Sequence, residues 1–190
     1  TLIDSKGQRL AEGYLGEQNK GIGWLLSWHG PINQSFFQQL FEISRKKRTS
    51  FEKDSLTTAY RLFNGEGDGI GGLIIDRYAD YAVFSWYSET LYQKKAELLT
   101  AFRTVYPDII GAYEKIRFST KNLPESQFLY GEQAPEPLLV TENGVQFATY
   151  LNEGLMTGIF LDQKEVRGRL VDGFAVGKTV LNMFSYTGAF

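Results

Sequence analysis

Apolar and polar positions along the chain change period several times, and each change marks an element. Leu2-Ile3-Asp4, Arg9-Leu10-Ala11-Glu12-Gly13-Tyr14 and Gly23-Trp24-Leu25-Leu26-Ser27-Trp28 read as short strands, the first two joined by a Ser5-Lys6-Gly7 turn. After Gly30-Pro31 the spacing turns helical: Phe36, Phe37, Leu40, Phe41 and Ile43 lie near one face, with Asn33 or Ser35 placed to cap. Strand patterns return around 60–63, 73–78 and 80–87, and a helix is predicted over 89–106 with Leu91, Leu98, Phe102 and Val105 near one stripe. Ile109 to Tyr113 reads as a strand, and the three prolines between 124 and 137 read as a linker without periodicity. The clearest local signal is Asn143-Gly144 between the apolar runs 138–142 and 145–151, a hairpin whose turn needs two residues of positive φ.

The Gly-rich phrase Asn64-Gly65-Glu66-Gly67-Asp68-Gly69-Ile70-Gly71-Gly72 lies between strands. No Gly-Lys-Ser/Thr follows and no helix opens after it, so it reads as a tight connection and not as a phosphate loop. Arg45-Lys46-Lys47-Arg48 ends the first helix, where positive charge suits the C-terminal dipole; a solvated last turn is favoured over a phosphate patch. Lys115-Ile116-Arg117-Phe118-Ser119-Thr120-Lys121 interleaves basic and aromatic residues in a pattern compatible with RNA backbone contact.

Near the C-terminus, Asp162 and Glu165 have capping-box spacing. Gln163 and Arg167, four apart, share a helix face on which an amide and a guanidinium would grip a carboxylate, with an ordinary surface helix as the equal alternative. Val180-Leu181-Asn182-Met183-Phe184 is apolar enough for the central strand of a doubly wound sheet. Ser185-Tyr186-Thr187-Gly188 is then the loop at its carboxyl end, where open α/β sheets bind ligands. A single glycine falls short of the three that the dinucleotide fingerprint requires.

Composition narrows the chemistry. With 43% hydrophobic and 15% aromatic residues among 190, the chain can bury a core. No apolar run approaches the roughly 18 residues of a membrane span, and the N-terminus lacks a signal-peptide layout, so a cytoplasmic protein with no membrane partner is expected. The absence of cysteine excludes disulfides, thiolate metal sites and thiol nucleophiles in this stretch, and the single His29 excludes a multi-histidine metal site. A net charge of −2 confines any RNA contact to a local patch.

Three of these stretches carry a resemblance. Gly158-Ile159-Phe160-Leu161-Asp162-Gln163-Lys164 with Arg167, followed by 180–190, is similar to the cofactor motifs of the PUA-domain-containing, S-adenosylmethionine-dependent 23S rRNA cytosine-C5 methyltransferases. Residues 61–78 resemble that family's middle-domain signature, and the first 29 residues resemble the second half of its PUA domain. The resemblance implies an α/β and α+β multidomain fold. Residues 1–30 would be the C-terminal half of a PUA-like β-barrel, 31–123 an α+β middle domain, 124–137 the linker, and 138–190 a hairpin and the start of a class I, Rossmann-like methyltransferase domain. A fragment of a longer enzyme is therefore expected.

By the same resemblance Phe160 would pack on S-adenosyl-L-methionine, Gln163 and Arg167 would hold its carboxylate, and Asn182, Phe184, Ser185, Tyr186, Thr187 and Gly188 would line the loop beneath it. Lys164 stands where the family usually has Arg, and Gly72 where Pro is common. The implied partner is 23S rRNA, with a homodimer left open. The family attacks cytosine C6 with a cysteine thiolate; with no catalytic residue of that kind in this chain, the 190 residues alone are expected to be inactive. The alternatives are methylation of another RNA atom such as guanine N2, a non-catalytic RNA-binding module, and, disfavoured by its missing glycines, a dinucleotide-dependent enzyme.

Overall fold

The computed structural model describes every residue except Asn19, Lys20 and Phe184, with the side chains of 17–21 also left aside. The chain opens with a three-stranded antiparallel sheet of β1 (Leu2–Ile3), β2 (Arg9–Gln18) and β3 (Gly21–Ser27). The expected barrel half is thus an open meander. Gly13 permits its tightest spot, since a Cβ there would stand 1.9 Å from the Trp24 carbonyl oxygen.

Two side-chain bonds seat this sheet on the helical and sheet elements beyond it. The Tyr14 hydroxyl donates to the Gly71 carbonyl at 2.9 Å, and Thr90 Oγ1 donates to the Leu15 carbonyl at 2.8 Å.

Helix α1 (Gln34–Lys47) starts as its sequence predicts, with Asn33 Oδ1 accepting from the Phe36 N–H at 3.1 Å. Phe37 and Phe41 are fully buried, whereas Ile43 is exposed because position 44 takes the inward place. There Ser44 donates to the Leu62 carbonyl at 2.6 Å. The short α2 (Thr49–Glu52) leads into the main sheet.

That sheet has five strands in chain order: β4 (Ala59–Asn64), β5 (Leu73–Tyr78), β6 (Tyr81–Trp86), β7 (Gly111–Ile116) and β8 (Ser126–Gly131). All pairs are antiparallel except β6–β7, which is parallel and needs a crossover. The crossover is α3 (Glu89–Tyr92) and α4 (Lys95–Val105). The single helix expected over 89–106 is thus broken at Gln93 and Lys94.

One face of the sheet packs on α1 and α4 through Phe41, Phe63, Phe84, Trp86, Leu98 and Phe102, whose rings meet mostly edge to face. Beneath it Glu114, wholly buried, accepts from Trp86 Nε1, Tyr92 Oη and Lys95 Nζ at 3.0, 3.0 and 3.1 Å. The Gly-rich phrase forms a 3₁₀ turn over Gly65–Asp68 closed by Gly69 at φ 106°, as its reading as a connection predicts.

The stretch expected to be a linker, 124–137, contains strand β8 and so corrects that reading. Its first five residues are all half-buried, with no alternation to betray a strand, and its partner β7 supplies the register. Gly131, at φ 85°, closes against β7 so tightly that a Cβ would lie 2.0 Å from the Ile110 carbonyl oxygen.

The hairpin β9 (Leu138–Glu142) and β10 (Val145–Thr149) forms as its Asn-Gly turn requires, with Asn143 and Gly144 at φ 50° and 79°. With the segment that follows it, the hairpin covers part of the second face of the main sheet, through Leu138 and Val140 and then Leu151 and Ile159. The Thr58 N–H donates to the Thr141 carbonyl, and the Thr141 N–H to Thr58 Oγ1, both at 2.8 Å.

The remainder corrects two further expectations. Helix α5 (Lys164–Arg169) is entered through a 3₁₀ turn at Leu161–Gln163; Gln163 occupies the cap position and no side chain caps it, so Asp162 does not serve as N-cap. Residues 180–183 belong to no sheet, and Val180, Leu181 and Met183 are exposed. A central strand gets its backbone partners from its neighbours, and among the described residues none lies alongside.

Candidate functional site

Three segments separated in sequence meet at the carboxyl-terminal end of the hairpin. Gly158, at φ 104°, lies against β10, and a Cβ on it would stand 3.0 Å from the Ala148 carbonyl oxygen. Its N–H donates to the Tyr186 hydroxyl at 3.1 Å, and its carbonyl accepts from Thr187 Oγ1 at 2.7 Å. The turn that presents these groups is closed by the Gly188 N–H donating to the Ser185 carbonyl at 2.7 Å, with Tyr186 and Gly188 both at positive φ. The rings of Phe160 and Tyr186 lie 5.4 Å apart at 50°, each about half exposed, and together form an open aromatic corner.

The predicted residues therefore divide. Phe160, Tyr186 and Thr187 converge around Gly158, and Ser185 and Gly188 close the same turn. Asn182 is exposed and donates through Nδ2 to the Phe190 carbonyl at 3.4 Å, bracing the loop's own ends. Gln163 lies half-buried in the 3₁₀ turn. Phe184 falls outside the described residues.

Arg167 is different in kind. It is 5% exposed, and its Nε and Nη2 donate to Glu142 Oε1 and Oε2 at 2.7 and 2.8 Å, a bidentate pair with a carboxylate that is 1% exposed. Nη2 also donates to the Phe160 carbonyl at 2.6 Å, and the guanidinium lies 5.3 Å from the Phe190 ring centroid. The inward residue of α5 is thus a charge, while the neighbouring apolar Val166 is 51% exposed. Glu142 was not singled out from the sequence: its partner is 25 residues away, and a carboxylate ending a strand looks like any solvent-facing position.

The basic quartet at the end of α1 is largely consumed internally. Arg48 and Lys47 donate to Asp68 at 2.5 and 2.9 Å, and Arg45 pairs with Glu52 at 2.8 Å. Burial alone would raise the Asp68 carboxyl, but hydrogen bonds from Arg48, Lys47 and the Asn64 N–H outweigh it and hold the group at about 2. These charges fasten α1 to the Gly-rich turn, so most of the quartet is paired where the sequence favoured a solvated last turn.

A second polar feature adjoins the site. Between the second face of the main sheet and residues 155–162 lies a cleft of about 320 Å³ lined by, among others, Arg61, Asp76, Lys115, Arg117, Phe160 and Asp162. Arg61 Nε pairs with Asp76 at 2.9 Å. Desolvation raises the Asp76 carboxyl and Arg61 opposes it. Among the described residues no cluster of His, Asp or Glu has the geometry to hold a metal ion, and no helix is long and apolar enough to cross a membrane.

Comparison with known proteins adds an independent line. Residues 1–28 match the model of a PUA-like domain. The whole chain is 47% identical to a Bacillus subtilis protein named as a candidate ribosomal RNA large subunit methyltransferase, YwbD, of which it covers 49%. It is 34% identical, again over 100% of its own length and 49% of the relative, to ribosomal RNA large subunit methyltransferase I of Aliivibrio fischeri. Two solved structures superpose on 98% of the chain at 50% identity: a candidate SAM-dependent methyltransferase from Streptococcus mutans with a TM-score of 0.90, and a candidate methyltransferase complexed with SAH with a TM-score of 0.91. The chain covers 49% and 48% of those structures. Over its entire length the chain is therefore similar to ribosomal RNA large subunit methyltransferases, and it spans about half the length of the relatives it matches.

Proposed function

We propose that this chain forms part of an S-adenosyl-L-methionine-dependent methyltransferase acting on large-subunit ribosomal RNA, and that the product is 5-methylcytosine. The observation that carries the reading is the convergence at Gly158: a positive-φ glycine against β10, the Phe160 ring and the Ser185–Gly188 turn are held together by two hydrogen bonds although 28 and 29 residues separate their ends. The relatives named for rRNA methylation, and a similar structure complexed with SAH, support the same assignment.

The residues present fit such a cofactor in its uncharged parts. Phe160 and Tyr186 offer aromatic faces, and the positive-φ backbone at Gly158, Tyr186 and Gly188 keeps polar groups at the surface of the turn. Gln163, Asn182, Ser185 and Thr187 supply the hydrogen-bonding side chains of the proposed site, with Phe184 carried over from the resemblance alone. For Arg167 the proposal is a positioning role. Its charge is already matched by Glu142, and its bond to the Phe160 carbonyl fixes the segment that bears the aromatic ring.

When bound, the cofactor supplies an electrophilic methyl group. Methylation at cytosine C5 also needs a nucleophile at C6, and no cysteine is present in these 190 residues. This stretch accordingly holds cofactor and RNA and contributes no thiol to the reaction. The test is a calorimetric titration, with S-adenosylmethionine and with NAD, of the longer protein of which this chain is proposed to form part, followed by transfer of labelled methyl by that protein to 23S rRNA and nucleoside analysis. Binding of S-adenosylmethionine with label in 5-methylcytosine is expected. NAD binding alone sinks the reading, and label in a methylated guanine replaces its cytosine part.

A further inference from the structure

Among the described residues, the cleft beside the cofactor segment has an unbalanced charge at one end. Arg61 is matched by Asp76, and Asp162 acts electrostatically on both. Lys115 and Arg117, two apart on the β7 side of the cleft and therefore on one face of the sheet, form no ion pair among the described residues. Lys115 is 1% exposed, and its Nζ donates to Ser126 Oγ at 2.8 Å and to the Gly154 carbonyl at 2.6 Å. Arg117 Nη2 donates to the Leu155 carbonyl at 2.6 Å, while its Nε is buried with no acceptor.

Neutral oxygens thus make the hydrogen bonds to both cations, and the neighbouring carboxylates, Asp76 for Arg117 and Glu153 for Lys115, act on them only through space. Desolvation, then the neighbouring Arg117, pulls the Lys115 ammonium down to about 8, with Glu153 opposing them. Burying two like charges side by side is unfavourable unless an anion joins them. An orphaned guanidinium N–H calls for an acceptor of the same kind.

We infer that Lys115 and Arg117 form a phosphate-binding site for the RNA substrate, at the wall between the main sheet and the cofactor segment. The inference rests on the RNA methyltransferase reading and adds the residues that receive the substrate backbone. A phosphodiester supplies what the Lys115–Arg117 end of the cleft lacks, a directly bonded anion whose acceptor oxygens match a guanidinium fork. The cleft volume is at the lower end of those that enclose small ligands, enough for one nucleotide drawn out of a strand. Phe160 also lines it, so a phosphate held at Arg117 places the attached nucleotide beside the proposed cofactor corner. Lys115 also anchors the 153–154 segment and supplies field, and Arg117 is the group with donors to spare.

The test uses the full chain and a labelled single-stranded oligoribonucleotide of mixed sequence, read by fluorescence anisotropy across salt concentrations. S-adenosylmethionine affinity is measured in parallel by calorimetry. Arg117→Gln is expected to weaken RNA binding roughly tenfold or more and to lower the salt slope by about one, leaving S-adenosylmethionine affinity unchanged. Arg117→Lys should keep the slope. Inorganic pyrophosphate should raise the melting temperature of the wild type and not that of Arg117→Gln, a readout that also confirms the variant folds. Unchanged RNA affinity in Arg117→Gln overturns the inference while leaving the methyltransferase reading intact. Loss of S-adenosylmethionine affinity with RNA affinity retained assigns the anion to the cofactor and also overturns it. RNA binding that depends on Arg117 in a protein that does not bind S-adenosylmethionine upholds the phosphate site and removes the reading on which its place in a reaction depends.

Discussion

Replacing Glu142 by Gln removes the negative half of a pair in which the carboxylate is 1% and the guanidinium 5% exposed. Both acceptor oxygens are used, at 2.7 and 2.8 Å, so the substitution deletes one charge-assisted bond, weakens the other and leaves the Arg167 charge in a desolvated site. Breaking one side of a buried pair costs about 3–5 kcal/mol, which in a chain of this size lowers the melting temperature by roughly 6–20 °C. Urea denaturation followed by circular dichroism gives the free energy directly. The double variant Glu142→Gln/Arg167→Met should recover part of the loss, with a coupling of at least about 1 kcal/mol. A loss below about 1 kcal/mol in Glu142→Gln would show that water reaches the pair and refute the burial argument. The same variant distinguishes the two roles of Arg167. If Arg167 positions the Phe160 segment, Glu142→Gln weakens S-adenosylmethionine binding; if it grips the cofactor carboxylate, releasing it from Glu142 strengthens binding.

Acid should act through Asp68. Its carboxyl is held at about 2, below its unfolded value, so its contribution is complete above the unfolded pKa and fades as pH falls from about 5 towards about 2. Asp68→Asn should flatten that part of a stability–pH curve, and an unaltered curve would deny the linkage. Gly131→Ala combines a positive φ with a Cβ 2.0 Å from the Ile110 carbonyl oxygen, so a loss of more than about 2 kcal/mol is expected in chemical denaturation; a neutral effect would mean that β7 and β8 can part there at little cost. Tyr186→Phe deletes only an exposed bond to the Gly158 N–H. It should cost no more than about 1 kcal/mol of stability and a larger share of cofactor affinity, and equal S-adenosylmethionine affinity in both proteins would remove Tyr186 from the site.

What could be read from the sequence was local. Asn33 capping α1, the Asn143-Gly144 turn and the glycines after Asn64 each act over a few residues, and each does as its chemistry predicts. What could not be read depends on distant partners. β8 carries no alternation because residues 126–130 are all half-buried, and only β7 beside it makes it a strand. Val180-Leu181-Asn182-Met183 has a strand's composition, but among the described residues no strand lies beside it. The site showed the same divide: Phe160 and Tyr186 were named from motifs, whereas the engagement of Arg167 with Glu142 depends on folding the hairpin over α5.

Strand β8 also bears on how the molecule can be divided. A cut made in the proline-bearing stretch around Pro124 looks harmless in sequence, yet it would strip the outermost strand from a sheet whose next member, β7, is buried along its whole length. The uncovered backbone of β7 would then be an open edge with an apolar flank, prone to pair with another copy. Expressing the first 123 residues alone should therefore give an aggregating product, whereas a boundary placed after Gly131, in the 132–137 stretch beyond the last strand of the sheet, keeps that edge covered.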